Sequence, residues 1–189
     1  MRADFLERIR RYSFLITLGV VVYGTYLFLP PNHSTYATLQ MGGHRGIYNS
    51  AWVGALTAMM GTVYLAILGF YLVKNAIRRD RLTGVGEVIA ATQVSKVAYT
   101  VGKFLSNCAV LTVMVCVLFL ASGAMQFIRG EDYRIDLWAW AAPYIFIMLP
   151  IVVLTAALAV LFESIQFLRG GLGNIVYYGM WVAALATEV

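Results

Sequence analysis

The sequence predicts an all-α protein, a polytopic bundle of membrane-spanning helices in which residues 1–189 form a single transmembrane domain. Hydrophobic residues make up 61% of the chain and charged residues only 12%, whereas soluble domains carry about 25% charged residues. The mean hydropathy, taken over the whole chain, is +0.77. A soluble protein of this composition would have too few polar residues to cover its surface. The third observation is a series of long apolar stretches along the chain.

Four of these stretches are clear candidate spans: 13–29, 51–73, 104–127 and 137–162. The second, 51–73, has 23 residues without a charge and is long enough to cross a bilayer, since an α-helix rises about 1.5 Å per residue. Pro143 and Pro150 lie inside the fourth stretch and are expected to kink it. Tryptophans are expected at the membrane interface near the span ends, at Trp52, Trp138, Trp140 and Trp181.

The two ends of the chain are less regular. Residues 1–12 predict an interfacial helix, because Phe5, Ile9 and Tyr12 fall on one face with the arginines on the other. A plain basic flank is the alternative interpretation. A fifth apolar stretch, 173–187, is short and predicts at most a partial span. We therefore interpret the sequence either as an N-terminal fragment of a longer protein or as one that lacks its last span.

Lysine and arginine residues divide unequally between the two predicted sides. The N-terminal tail has four, residues 74–103 have six, and Arg169 follows the fourth span, whereas the opposite side has only Arg45, Arg129 and Arg134. Cytoplasmic loops carry such an excess. This predicts a multi-pass protein of the plasma (inner) membrane with its N-terminus in the cytoplasm. The net charge of +5 is then a topology signal, and no nucleic-acid partner is expected.

The predicted spans carry no ionisable side chain near their middle, and both histidines, His33 and His44, lie in a loop. Ion-coupled transporters usually place such groups at mid-membrane, and haem anchors need histidines inside helices. No phosphate-binding loop is present, because Gly102 and Lys103 lack the rest of the motif. We therefore expect no cofactor, no metal and no catalytic residue. The polar residues Ser106, Asn107, Cys108 and Ser122 are interpreted as interhelical hydrogen-bonding groups.

The polar segment 74–103 has a helical pattern. Its spacing places one largely apolar stripe on a helix face: Val85, Val88, Ile89 and Thr92. Glu87 lies in the first turn, where a negative charge suits the helix dipole. Gly84 and Gly86 permit a sharp turn into the helix. These features predict a short helix along the membrane surface, which either docks a partner or packs on lipid.

Several residues of this segment carry a resemblance to a known family: Arg79, Asp80, Gly84, Glu87, residues 91–96, Tyr99, Gly102, Lys103 and Asn107. Their order resembles the permease subunits of ABC-2 type exporters, members of the ATP-binding cassette group. The order of elements is also similar, from an interfacial helix through two spans to a cytoplasmic coupling loop. The family's usual permease has six spans, and this sequence departs from it at the C-terminus.

The resemblance implies a transmembrane subunit that pairs with a second copy or a homologue in membrane lipid. A separate ATP-binding subunit would hydrolyse ATP, so the chain itself would not be an enzyme. That subunit would dock on a coupling helix over residues 84–93. The implied docking residues are Arg81, Gly84, Val85, Glu87, Val88, Ile89 and Gln93.

Two other functions are consistent with the sequence. The chain could be a non-transporting membrane anchor or assembly protein that recruits a cytoplasmic partner through the same basic loop. A small intramembrane enzyme using Asn107 or Ser122 is the third reading. Uncharged spans fit lipid-like, peptide-like or other hydrophobic cargo without selecting among them.

Overall fold

A computed structural model describes residues 2–31, 34, 37–41 and 43–186, and most of them are helical. The α-helices are α1 (Arg2–Ile9), α2 (Tyr12–Phe28), α3 (Ser50–Val73), α4 (Ala76–Leu82), α5 (Val85–Ala90), α6 (Lys96–Arg129), α7 (Leu137–Pro143), α8 (Leu149–Ser164) and α9 (Gly171–Ala186). A π-helical turn (Tyr144–Met148) joins α7 to α8, and a 3-10 turn (Gln166–Leu168) precedes α9. Two short antiparallel strands, β1 (Gln40–Met41) and β2 (His44–Arg45), lie in the loop after α2. The all-α prediction fits this architecture, although it did not include the small hairpin.

Among the residues that the structure describes, three helical stretches are long and apolar enough to cross a membrane: Ser50–Asp80, Lys96–Arg129 and Leu137–Ser164. They contain three of the four predicted spans, and they are compatible with a membrane protein. The helix at the first predicted span, α2, has only 17 residues and is about 26 Å long at about 1.5 Å per residue. The fifth apolar stretch forms α9, whose 16 residues are also short for a span.

Side-chain caps set the starts of the long helices. Asn49 accepts a hydrogen bond from the Trp52 amide at the start of α3. Ser95 accepts one from the Ala98 amide at the start of α6. Such caps satisfy amides that have no partner within the helix. Helix α6 therefore begins eight residues before the predicted span at 104, because its cap lies in the polar segment rather than at the apolar boundary.

The fourth predicted span is one continuous helical stretch that contains the π-helical turn between its two prolines. Pro143 ends α7, and Pro150 lies in the first turn of α8. Proline has no amide hydrogen to donate to the carbonyl four residues earlier, so the regular hydrogen-bond pattern is interrupted there. The wider turn accommodates this interruption.

Helix α3 lies at the centre of the bundle and contacts α2, α6, α7, the π-helical turn and α8. Its glycines allow these close contacts. A Cβ atom at Gly54 would overlap the backbone of Trp140, and one at Gly61 would overlap the side chains of Leu118 and Met148. Small residues serve the same purpose in membrane helix packing generally.

A buried hydrogen-bond cluster joins α3, α6, α7 and the π-helical turn. Tyr144 and Trp140 each donate to the hydroxyl of Ser122, at 2.9 and 3.0 Å, and Thr57 lies 2.8 Å from the Tyr144 hydroxyl. Phe119 stacks on the Trp140 indole. Trp140 lies near the start of α7 and is only 8% exposed, so its side chain points into the bundle. Its indole is held in the bundle because Ser122 supplies a buried acceptor.

The N-terminal helix α1 packs on the bundle through Phe5 and Ile9. Tyr12, expected on the same face, is 85% exposed. Arg8, expected on the polar face, is only 6% exposed and donates to the Asn107 side chain at 2.6 Å. The prediction that the arginines avoid the bundle is therefore wrong at Arg8, because a polar acceptor on α6 lies within its reach.

Helix α9 is attached to α3 largely through Tyr177. Its ring stacks on Phe70 at a centroid distance of 3.6 Å, and its hydroxyl donates to the Ala66 carbonyl at 2.7 Å. Lys74 adds a second attachment, because its ammonium group donates to Asn174 at 2.6 Å.

Charged side chains are concentrated at the two ends of the bundle. Arg8, Lys74, Lys103 and Glu163 make their contacts at one end, which we call the basic end. At the opposite end Arg45 pairs with Glu131. The three basic regions identified from the sequence therefore meet at one end of the fold, which is the grouping that the charge bias predicts.

Substituting Gly123 by alanine should lower the thermal stability of the purified protein. A Cβ atom there would overlap the rigid Trp140 indole, and overpacking of this kind costs about 1–3 kcal/mol. Gly19→Ala is the matched control, because that helical glycine has open space around it and alanine favours a helix. Equal melting temperatures for the two variants in detergent would contradict the packing described here.

The Arg45–Glu131 pair should make stability depend on pH. The Arg45 side chain, followed by the Tyr48 amide, lowers the pKa of Glu131 from its ordinary value of 4.5. The pair therefore contributes stability above that ordinary value, and the contribution is lost as the pH falls through the lowered pKa. The melting temperature should exceed that of Glu131→Gln at pH 7, and the difference should close in acid. A difference that persists unchanged at pH 3 would contradict this assignment.

Candidate partner-docking surface

The predicted loop 74–103 is largely helical and begins with a reversal of the chain after α3. Asn75 has a φ of +73°, a left-handed conformation that asparagine tolerates, and it directs the chain into α4. Gly84 also has a φ of +73° and separates α4 from α5. The predicted glycine turn is therefore located at Gly84, whereas Gly86 lies inside α5.

Glu163, near the end of α8, holds the start of α4. One carboxylate oxygen accepts from the Ala76 amide at 2.7 Å and the other from the Ile77 amide. Glu163 is only 2% exposed. Hydrogen bonds to charged groups contribute about 1.5–3 kcal/mol, more than bonds between neutral groups. The first turn of α4 is thus fixed to the end of a long helix.

Asp80 holds the other end of α4. Its carboxylate lies 2.7 Å from the Lys103 ammonium and accepts a hydrogen bond from the Tyr99 hydroxyl at 2.8 Å. The side chains of Asp80 and Lys103 are 7% and 10% exposed. A buried pair of this kind is strongly disrupted when one partner is removed. Helix α4 is therefore tied to the first turns of α6 as well as to α8.

These contacts give a structural reason for the motif on which the family resemblance rests. Asp80, Tyr99 and Lys103, which are separate in the sequence, form one cluster. Asn107, one turn beyond Lys103, accepts from Arg8. The spacing of the motif therefore encodes the junction between α1, α4 and α6.

Helix α5 projects from this anchored junction, and its main helix contact is with α4. Of the predicted docking residues, Glu87 and Gln93 are exposed, and Val85 and Val88 are 46% and 68% exposed. Gly84 is half-buried. The side chains of Arg81 and Ile89 lie outside the described residues. The helix ends at Ala90, so Thr92 and Gln93 lie in the turn that follows rather than on the predicted stripe.

The structure adds residues that the stripe did not include. Leu82, Val94 and Val97 are 76%, 53% and 72% exposed. Together with Val85 and Val88, they give residues 82–97 five exposed apolar side chains. Leu82 and Val97 belong to α4 and α6, so a periodicity confined to one short helix does not detect them.

A groove of about 680 Å³ separates α5 from the ends of α6 and α8. Glu87 lines it from α5, Lys96 and Tyr99 line it from α6, and Glu163 and Arg169 line it on the α8 side. The groove presents both signs of charge beside an apolar surface. Protein–protein interfaces have an apolar centre and a polar rim, so this combination suits a segment of a partner protein.

The described part of the chain shows no group of three or more His, Cys, Asp or Glu side chains that could hold a metal ion. His33 lies outside the described residues. Ser122 and Asn107, considered for an intramembrane enzyme, hydrogen-bond to residues on neighbouring helices. No family model, curated protein or solved structure matches the chain.

Glu163→Gln should loosen α4. The glutamine side chain has only one acceptor oxygen. One of the backbone N–H groups of Ala76 and Ile77 would therefore face the glutamine NH₂ group in a buried site, at a cost of about 1–3 kcal/mol. Deuterium uptake should rise across residues 74–95 and stay unchanged in the middle of α3. Ser164→Ala is the control, because the hydroxyl of this exposed residue donates to the Val160 carbonyl of its own helix and makes no hydrogen bond to α4 among the described residues. Equal uptake in both variants would contradict the anchoring role.

Proposed function

We propose that the chain is the membrane-spanning permease subunit of an ABC-2 type exporter, driven by a separate ATP-binding subunit that docks on α5. The observation that carries the proposal is the way α5 is mounted. It is short, it exposes apolar side chains, and it is supported by a helix that buried charged groups fix to the bundle. A helix used only to pack on lipid would not need that rigid support.

Force applied to α5 has a defined route into the bundle. Helix α4 receives it first, because α4 is the main helix neighbour of α5. Glu163 then passes it to α8, and Asp80 passes it to α6 through Lys103. Charge-assisted hydrogen bonds and a buried ion pair are directional, so they transmit displacement better than apolar contacts that can slide. Docking at α5 would thereby shift the ends of two long helices.

The remaining parts of the proposal rest on charge and on the resemblance. The basic end faces the cytoplasm, where an ATP-binding subunit would be found, as the excess of Lys and Arg predicts. The chain lies in the plasma (inner) membrane and pairs with a second permease, so that cargo passes between two bundles. The long apolar helices carry no ionisable group at mid-span, so the energy for transport comes from the partner.

Val88→Glu tests the docking role. Val88 is 68% exposed, so the variant should fold normally, but a partner would have to bury an unpaired carboxylate. The tagged chain, purified from membranes of its native host, should lose vanadate-sensitive ATP hydrolysis by more than about tenfold, corresponding to roughly 1.4 kcal/mol or more. Binding and activity should fall together.

Ile47→Glu is the matched control, because Ile47 is 65% exposed and lies in the loop at the opposite end of the bundle. It should retain the ATP-hydrolysing partner. Full activity in Val88→Glu would overturn the docking assignment. A partner that requires Val88 but hydrolyses no ATP would favour the non-transporting anchor or assembly protein.

A further inference from the structure

Helix α2 turns an apolar and aromatic face to the outside of the bundle. The helix packs along α3 and α6, which both belong to stretches long enough to cross a membrane. Six large side chains of its outer face are between 42% and 85% exposed: Tyr12, Leu15, Ile16, Val20, Tyr23 and Tyr26. Because α3 and α6 can span the membrane, the exposed face of the helix packed along them contacts lipid.

Three tyrosines mark the two ends of this outer face. Tyr12 is the first residue of α2, and Tyr23 and Tyr26 lie in its last two turns, with their rings stacked at a centroid distance of 6.3 Å. Within the described part of the chain their hydroxyls have no hydrogen-bond partner, whereas the buried hydroxyls of Tyr144 and Tyr177 do. An outward hydroxyl without a protein partner is satisfied by water or headgroups, so the three tyrosines belong at the two membrane interfaces.

Arginine side chains lie at the same two levels of α2. Arg11 immediately precedes the helix. Arg129 reaches back from the end of α6 and donates to the Tyr26 and Leu29 carbonyls, with its guanidinium carbon 4.0 Å from the centroid of the Tyr26 ring. Such a cation satisfies carbonyls that have no partner within the helix. The polar boundary at this end therefore lies at the level of Tyr26.

The apolar band between these two levels is shorter than the core of an ordinary bilayer. At about 1.5 Å per residue, Tyr12 is about 17 Å from Tyr23 and about 21 Å from Tyr26 along the helix axis. The hydrocarbon core of a typical bilayer is about 30 Å thick. Helices α3 and α6 have 24 and 34 residues, so the shortfall belongs to the α2 side of the bundle.

We propose that the outer face of α2 contacts a locally thinned bilayer and favours phospholipids with short acyl chains. A short apolar band is accommodated when flanking side chains extend outward, when a second protein covers it, or when the bilayer thins. Arg129 does not extend outward, because α2 carbonyls hold its guanidinium group. The proposal requires α2 to lie in the membrane but does not require an ATP-binding partner, so either proposal can fail without the other.

The test is the melting temperature of the full chain in nanodiscs of phosphatidylcholines that differ in acyl-chain length, from fourteen to twenty-two carbons. A lipid that fits the folded state stabilises it, so the melting temperature should be highest with fourteen or sixteen carbons and fall as the chains lengthen. A maximum at eighteen carbons or more would overturn the proposal. A melting temperature independent of chain length, with disulfide cross-linking between two copies of Ile16→Cys, would overturn it in favour of a second copy.

Two matched pairs of substitutions locate the effect. Tyr23→Leu with Tyr26→Leu lengthens the apolar band to about 24 Å, from Tyr12 to the end of α2, and should move the maximum to chains at least two carbons longer. Tyr71→Leu with Tyr133→Leu is the control, because these tyrosines are 44% and 62% exposed and lie on α3 and in the loop after α6. The control should leave the maximum in place. Equal shifts in both pairs, or no shift in either, would overturn α2 as the site of thinning.

Discussion

The buried carboxylate of Glu163 is the contact on which the basic end of the molecule depends. It lies at the end of α8 and binds the first two amides of α4, which would otherwise lack partners. The direction of α4 fixes where Asp80 meets Lys103 and where α5 leaves the bundle. The exposed valines of α5 therefore lie on an element whose position follows from this contact.

Polar groups specify the arrangement of helices that apolar packing alone would leave loosely defined. In the C-terminal part of α6, Ser122 accepts from Trp140 of α7 and from Tyr144 of the π-helical turn. At the opposite end from Glu163, Gln126 donates to Ser50 and so joins α6 to α3. Hydrogen bonds between membrane helices contribute modest energy, but they fix register and orientation.

The sequence predicted the features that depend on local composition. The apolar stretches place three long helices because hydropathy and length decide whether a segment can span a bilayer. Gly84 was assigned to a turn because its backbone freedom is a local property. The exposed valines of α5 followed from their position in a polar segment between apolar stretches.

The features that sequence reasoning missed depend on contacts between distant residues. Arg8 is buried where the Asn107 side chain accepts its hydrogen bond. Trp140 is buried where the Ser122 hydroxyl accepts the hydrogen bond of its indole. Nothing in the neighbouring residues of Arg8 or Trp140 carries that information. The exposed Val97 was missed for a different reason, because it belongs to α6 and the predicted stripe was confined to one short helix.

The central claim is that α5 is mounted rigidly on the bundle through Glu163, and a distance measurement tests it directly. Spin labels at Val88 and Ile128, both exposed, would report the distance between α5 and the far end of α6, with Cys108 and Cys116 replaced by alanine. Double electron–electron resonance should give one narrow distribution, which broadens in Glu163→Gln and stays narrow in Ser164→Ala. A distribution equally narrow in Glu163→Gln would contradict the claim.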